Sequence, residues 1–223
     1  MRVGRRVLVP VIAGAMVFLS ACSGAGSAQP SASSPAATMA DMSPSTSQAA
    51  VNMFGGPVYG GQPNLAATAA LIDAGGGAKD FSFQTALVAM LGQKTVDGEV
   101  AKLTTQYGAD QVKTFVTGMD FAVDDAIKIV TADGITLPAP ADLHGTDLAK
   151  ALVETGTAPD GTFWAGYLFD RTISHKIHDQ VMDDINQGPG VQADMITHKL
   201  LNQAMFDVAQ ALGDTSVKLA TLH

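Results

Sequence analysis

The amino-acid sequence predicts an all-α fold, a helical bundle of about seven helices that ends in a long C-terminal helical hairpin. Apolar residues recur every three or four positions in several long segments, which is the spacing of one face of an α-helix. No segment shows a convincing period of two, and the β-branched residues fall within the helical stripes. We therefore expect one all-α domain over residues 51–223, a length that can bury a core of its own.

The first 22 residues have the organisation of an export signal. Its parts are a positive segment with Arg2, Arg5 and Arg6, an apolar stretch over residues 7–18, and the cleavage site Leu19-Ser20-Ala21-Cys22. The four residues that end in Cys22 resemble a bacterial lipobox. The resemblance implies a signal peptide over residues 1–21 and a lipid, such as palmitate, on Cys22 that anchors the mature chain to a membrane. Ser23 resembles the sorting pattern of outer-membrane lipoproteins, and this resemblance implies a location on the outer membrane, facing the periplasm.

Residues 22–50 have the composition of a disordered, lipidated tether. Ser, Ala, Pro and Thr dominate, and neither helical nor strand periodicity is present. Met39 and Met42 flank Asp41 there, but two thioethers without a nearby histidine are weak grounds for a copper site. Cys22 is the only cysteine, so the mature protein forms no intramolecular disulfide and its stability must come from packing.

The charge balance narrows the class of partner. Loss of the signal removes three of the 13 basic residues and leaves ten against 21 acidic ones, a net charge of −11 with histidine neutral. Such an acidic surface argues against binding to nucleic acid and against electrostatic adhesion to anionic lipid. Membrane attachment is then expected through the lipid alone, with an envelope protein as the macromolecular partner.

The first half of the domain should contain four helices. Glycine-rich residues 54–63 precede them and predict irregular coil, because they lack the Lys-Ser/Thr of a phosphate loop. Polar side chains that can cap a helix start the first three, and glycine ends them. The four run from Asn64 to about Ala74, from Asp80 or Ser82 to about Gly92, from Thr95 to Tyr107, and from Ala109 to Ala132.

The second half is organised around the predicted hairpin. Prolines at 138 and 140 force an extended connection, and a short helix from about Thr146 to Thr155 follows. Asp160 is expected to cap the first arm, residues 162–187, and Gly188-Pro189-Gly190 joins it to the second arm, residues 192–212. We expect the helix at 109–132 and these two arms to carry the core.

The hairpin carries the chain's only clustered candidate chemistry. At 100° per residue, the inward stripe of the first arm includes Asp170, Ser174 and His178, with His175 at its edge. In the second arm, His198 and Asp194 lie on the flank of the inward stripe. An antiparallel hairpin pairs residues whose numbers sum to about 379, so His178 and His198 should lie about one turn apart on facing helices.

Two imidazoles at that separation could share a metal ion or flank a haem. The hypothesis assigns the site to His178 and His198, with His175 and Asp194 as contributors at its edge. The structural alternative is a buried hydrogen-bond network in which Asp170 accepts from Ser174 and His178 donates to a carboxylate on an adjacent helix. His-Glu-x-x-His, repeated Glu-x-x-His and Cys-x-x-Cys-His motifs are all missing from the sequence.

Enzymatic function has the least support. Ser174, His178 and Asp170 include the residue types of a hydrolytic triad, but a single continuous helix lacks the sharp nucleophile turn and an oxyanion hole. His144 is expected to be solvated in a loop, and His223 to be frayed at the terminus. The sequence therefore favours a membrane-anchored periplasmic lipoprotein with a non-enzymatic binding or interaction domain, and a metal- or haem-binding bundle is the alternative.

Overall fold

The computed structural model describes residues 56–57, 63–140 and 142–221, and within them the protein is all-α, as predicted. The predicted signal peptide at 1–21, the tether at 22–50, most of the glycine-rich entry segment and His223 lie outside the described residues. Cys22, Met39 and Met42 lie outside them as well.

Eight α-helices occur in this part of the chain, joined by short connections. They are α1 (Leu65–Ala74), α2 (Phe83–Leu91), α3 (Gln93–Tyr107), α4 (Ala109–Ala132), α5 (Gly145–Gly156), α6 (Ala165–Ile173), α7 (His175–Ile185) and α8 (Val191–Ala211). A π-helical turn, Asn186–Gly190, links α7 to α8. Two short strands, β1 (Thr162–Phe163) and β2 (Lys218–Leu219), pair in parallel. No helix within the described residues has the length and apolarity that a membrane span needs.

The starts of the short helices follow from their capping groups. Asn64 Oδ1 accepts a hydrogen bond from Ala67 N at 3.2 Å, as predicted for the cap of α1. Ser82, and not Asp80, caps α2 by accepting from Thr85 N at 3.4 Å. The prediction that Thr95 opens α3 is wrong, because the helix begins directly after Gly92, whose φ of 79° allows a sharp junction with α2.

The first arm of the hairpin is not one helix, which corrects the sequence prediction. Residues 162–163 form β1, and Asp160 accepts a hydrogen bond from Thr162 N at 2.8 Å instead of capping a helix. The helical part starts at Ala165, whose N–H donates to Asn202 Oδ1 of α8 at 2.6 Å. It is then interrupted at Ser174, the residue between α6 and α7.

Helix α4 packs against both α7 and α8, which places the long segments at the centre of the domain. Its buried side chains, including Phe115, Met119 and Val130, belong to one core with buried residues of α6, α7 and α8. Gly118 faces Thr197 of α8 so closely that a methyl group at position 118 would collide with the threonine hydroxyl. The expectation that these segments carry the core is confirmed, and the closely packed α4–α8 pair helps to enclose the candidate site.

Candidate functional site

The buried carboxylate of Asp170 in α6 is the centre of the candidate site. Its side chain is 0% exposed, and Oδ1 lies 2.7 Å from Nδ1 of His178 and 3.0 Å from Nδ1 of His175. A carboxylate can only accept, so each imidazole can donate its Nδ1 proton to it. These partners differ from the predicted partner of Asp170, the hydroxyl of Ser174.

Ser174 creates this arrangement through its backbone. Its φ of 97° makes it the one non-glycine residue with positive φ among the described residues. Such a conformation costs free energy and persists only where the surrounding structure holds it. Ser174 also caps α7, since its Oγ accepts from Ile177 N at 3.5 Å. The turn redirects the chain so that His175 and His178 both approach Asp170.

A second histidine–carboxylate pair lies on α8. His198 and Asp194 are one helical turn apart, 2% and 0% exposed, with His198 Nδ1 2.8 Å from Asp194 Oδ1. The same nitrogen lies 3.1 Å from the backbone oxygen of Asp194. The hydrogen bond of His198 Nδ1 is thus with the backbone oxygen of Asp194, and the Asp194 carboxylate makes only an ion-pair contact with the ring.

The structure brings the two buried imidazoles together, as the hairpin argument predicted. The ring centroids of His178 and His198 are 6.0 Å apart. Phe169 packs against both rings, stacked on His178 with the centroids 5.5 Å apart and edge-on to His198 at 6.2 Å. This aromatic group fixes the orientation of both histidines within the core.

Several polar atoms around these rings are buried with no hydrogen-bond partner among the described residues. They are His178 Nε2 and the Oδ1 and Oδ2 oxygens of Asp194. Burying a polar group without a partner costs roughly 1–3 kcal/mol, so clustered atoms of this kind call for a bound group or a specific role.

The other candidate residues from the sequence, His175, His144 and Ser174, differ in their distance from the site and in their exposure. His175 lies at the rim of the site, with its side chain 40% exposed and Nε2 3.4 Å from Asp179 Oδ2. His144 is exposed beside Asp142, as expected. For the hydrolytic triad, Ser174 does occupy a sharp turn, contrary to expectation. Its Oγ is nevertheless engaged by the backbone of α7, and no hydrogen bond joins it to His178 Nε2.

Asp170, His175 and His178 form a group with the geometry of metal ligands. The sequence predicts only His175 and His178 of these three as ligands. Ligand atoms of Asp170, His175 and His178 all lie within 4.8 Å of one another. Asp170 was missed as a ligand because it is eight residues from His178. On a straight helix this spacing separates two residues by about 12 Å. The positive φ of Ser174, which closes that gap, leaves no signal in the sequence.

Comparison with known proteins gives this chain no relative. No protein-family model matches it, and neither a curated protein nor a solved structure matches it. Its functional assignment therefore depends on the chemistry of the residues themselves.

Proposed function

We propose that this protein is a membrane-anchored lipoprotein whose helical domain is a non-enzymatic binding module for a divalent transition-metal ion, held by Asp170, His175 and His178. The observation that supports it most is the approach of two imidazole nitrogens to one buried carboxylate oxygen, at 2.7 and 3.0 Å. Imidazole and carboxylate together suit ions such as Zn²⁺ and Fe²⁺.

The spacing of these atoms suits one ion with little rearrangement. Metal–nitrogen and metal–oxygen bonds to such ions are about 2.0–2.2 Å, so ligand atoms around a tetrahedral ion lie about 3.3–3.6 Å apart. To admit the ion, the Nδ1 atoms of His175 and His178 therefore need to move about 0.3–0.9 Å further from Asp170 Oδ1. His175, whose side chain is 40% exposed, gives an ion access to the site from solvent.

His178 and His198 define a second arrangement of the same site. An ion bound to Nε2 of His178 and to His198 would have its imidazoles oriented by the carboxylate of Asp170 and the backbone oxygen of Asp194, since second-shell acceptors commonly orient metal-binding histidines. Two rings that share one ion at a tetrahedral angle have centroids about 5.2 Å apart when metal–nitrogen bonds are about 2.0–2.1 Å. The observed separation is 6.0 Å, so the rings would have to approach by about 0.8 Å. Phe169 packs against both rings, in space that a porphyrin would need, which favours an ion over haem.

Metal analysis of histidine variants tests the site. The full-length chain, purified without chelators, should hold about one ion, and Co²⁺ should bind with a visible spectrum characteristic of nitrogen and oxygen ligands. We expect His178→Ala to weaken Co²⁺ binding by at least roughly tenfold. If the ion is held by Asp170, His175 and His178, His175→Ala should also weaken Co²⁺ binding. If it is held by His178 and His198, His198→Ala should weaken Co²⁺ binding instead.

The matched control is His144→Ala, which removes an exposed imidazole elsewhere and should leave Co²⁺ binding unchanged. A buried hydrogen-bond network would behave differently. In that case the wild-type chain binds no Co²⁺, or binds it equally well in His178→Ala, and its unfolding temperature is the same with and without the ion.

The lipid anchor is tested separately at Cys22. Cys22→Ser should leave the chain unprocessed or release it from the membrane fraction, because the sulfur that would carry the lipid is gone. Ser27→Ala, five residues further on, should still fractionate with membranes. A Cys22→Ser chain that is still cleaved and still membrane-bound would show that the lipobox interpretation is wrong.

A further inference from the structure

A cleft of about 380 Å³ opens between α2, α3, α4 and α8. It shares no residue with the histidine cluster, which consists of Asp170, His175, His178 and His198. Its size falls within the range of small-molecule sites. Most of its lining is apolar and comes from all four helices, including Leu87, Val96, Leu103, Val112, Phe115 and Met205. An apolar molecule can therefore bury surface here without any change in the packing of the core.

One carboxylate interrupts the apolar lining. Glu99 of α3 borders the cleft, and its Oε1 is buried with no hydrogen-bond partner among the described residues. Burial, followed by the neighbouring Asp207 of α8, raises the pKa of Glu99 to about 7. Asp207 itself is engaged by Lys102 Nζ at 2.5 Å and by Gln203 Nε2 at 3.1 Å. The unmatched acceptor in the cleft is thus Glu99 Oε1.

We propose that this cleft binds a primary alkylammonium compound, with its hydrocarbon chain along the apolar lining and its ammonium group on Glu99 Oε1. An ammonium group donates hydrogen bonds and offsets the repulsion between Glu99 and Asp207. A carboxylate ligand would add a third negative charge to a pair that has one cation, Lys102, beside it. The chain's overall excess of acidic residues favours the cation as well.

Octylamine, octanol and octanoate are suitable probes because they share one alkyl chain and differ in the head group. Each is titrated at pH 8 into the full-length chain labelled with ¹³C at the methionine methyl groups, and Met205, which lines the cleft, reports occupancy. Met205→Leu assigns the signal. We expect octylamine to bind at least roughly tenfold more tightly than octanol, and octanoate more weakly than either.

Glu99→Gln tests the carboxylate of the site, and Val116→Trp tests its apolar lining. Glu99→Gln should lower the affinity for octylamine to about that for octanol, whereas Glu154→Gln, an exposed residue of α5, should leave it unchanged. Val116→Trp, which fills the cleft from α4, should abolish binding of both. Equal binding of octylamine and octanol to the wild-type chain would overturn the proposal. No binding at all, binding without a shift at Met205, or an unchanged affinity in Glu99→Gln would also overturn it.

Discussion

At the scale of single residues, Asp170 is the group on which the histidine cluster depends. Its removal leaves the Nδ1 atom of buried His178 without its acceptor. Loss of one partner from a buried polar pair is strongly destabilising, because the remaining group has no water to replace it. We expect Asp170→Ala to lower the free energy of unfolding by about 3 kcal/mol even in the presence of a chelator.

Urea denaturation followed by circular dichroism measures this loss. Asp179→Ala is the control, because Asp179 contacts His175 but its side chain is 61% exposed. Such an exposed pair contributes less than about 1 kcal/mol. Similar free energies of unfolding for Asp170→Ala and the wild type would show that the buried carboxylate does not stabilise the fold.

Glu99 makes stability depend on pH. Burial and Asp207 raise the pKa of Glu99 from its ordinary value of 4.5 to about 7. The folded state therefore keeps a proton that the unfolded chain releases between these values. The stability from Glu99 is fully present below pH 4.5 and is lost as the pH rises to about 7.

Glu99→Gln stays neutral and should not show this loss. Relative to the wild type, we expect the variant to gain about 1 kcal/mol in unfolding free energy between pH 4.5 and pH 7.5, a value reduced for the partial exposure of Glu99. Chemical unfolding of both chains at the two pH values measures the difference, with Glu154→Gln as the matched control. If the difference in unfolding free energy between Glu99→Gln and the wild type is independent of pH, the pKa of Glu99 is not raised in the folded state.

At the scale of helices, the spacing of apolar residues predicts α4 and α8 but misses the turn at Ser174. The stripes at 109–132 and 192–212 correspond closely to α4 and α8, because apolar residues at helical spacing must face the core. The same reasoning placed His178 and His198 inward, and both are buried. It could not locate the break at Ser174, since serine at that position is compatible with a continuous helix.

The unusual backbone at Ser174 predicts a reversed order of two substitutions. In an ordinary helix interior, alanine is more stable than glycine by about 1 kcal/mol. At Ser174 the φ of 97° penalises alanine and suits glycine, while both variants lose the cap on Ile177 N. We therefore expect Ser174→Ala to be less stable than Ser174→Gly by about 1 kcal/mol.

Thermal unfolding of the two variants decides the order. The same pair of substitutions at Thr105, an exposed residue inside α3, should give the ordinary order, with alanine the more stable. If Ser174→Ala is the more stable variant at position 174 too, the helix is continuous there and the approach of His175 and His178 to Asp170 needs another cause.

At the scale of the whole molecule, α8 links the His178–His198 arrangement to the apolar cleft. Asp194 and His198 lie near its start, whereas Met205 and Val208 line the apolar cleft near its end. Seven residues separate His198 from Met205, which is about 10 Å along a helix. Every residue named for the two proposed sites therefore belongs to the helices α2 to α8 of a single bundle.

This organisation predicts that the bundle folds without its N-terminal tether. The buried core residues of the described chain all follow position 66, and residues 23–48 offer little apolar surface for a core. A fragment comprising residues 51–223 should unfold in one cooperative transition, with a free energy within about 0.5 kcal/mol of that of the chain from residue 22. Denaturation followed by circular dichroism and by the fluorescence of Trp164, the only tryptophan, checks this. Non-coincident transitions, or a loss well beyond that margin, would show that the tether belongs to the folded domain.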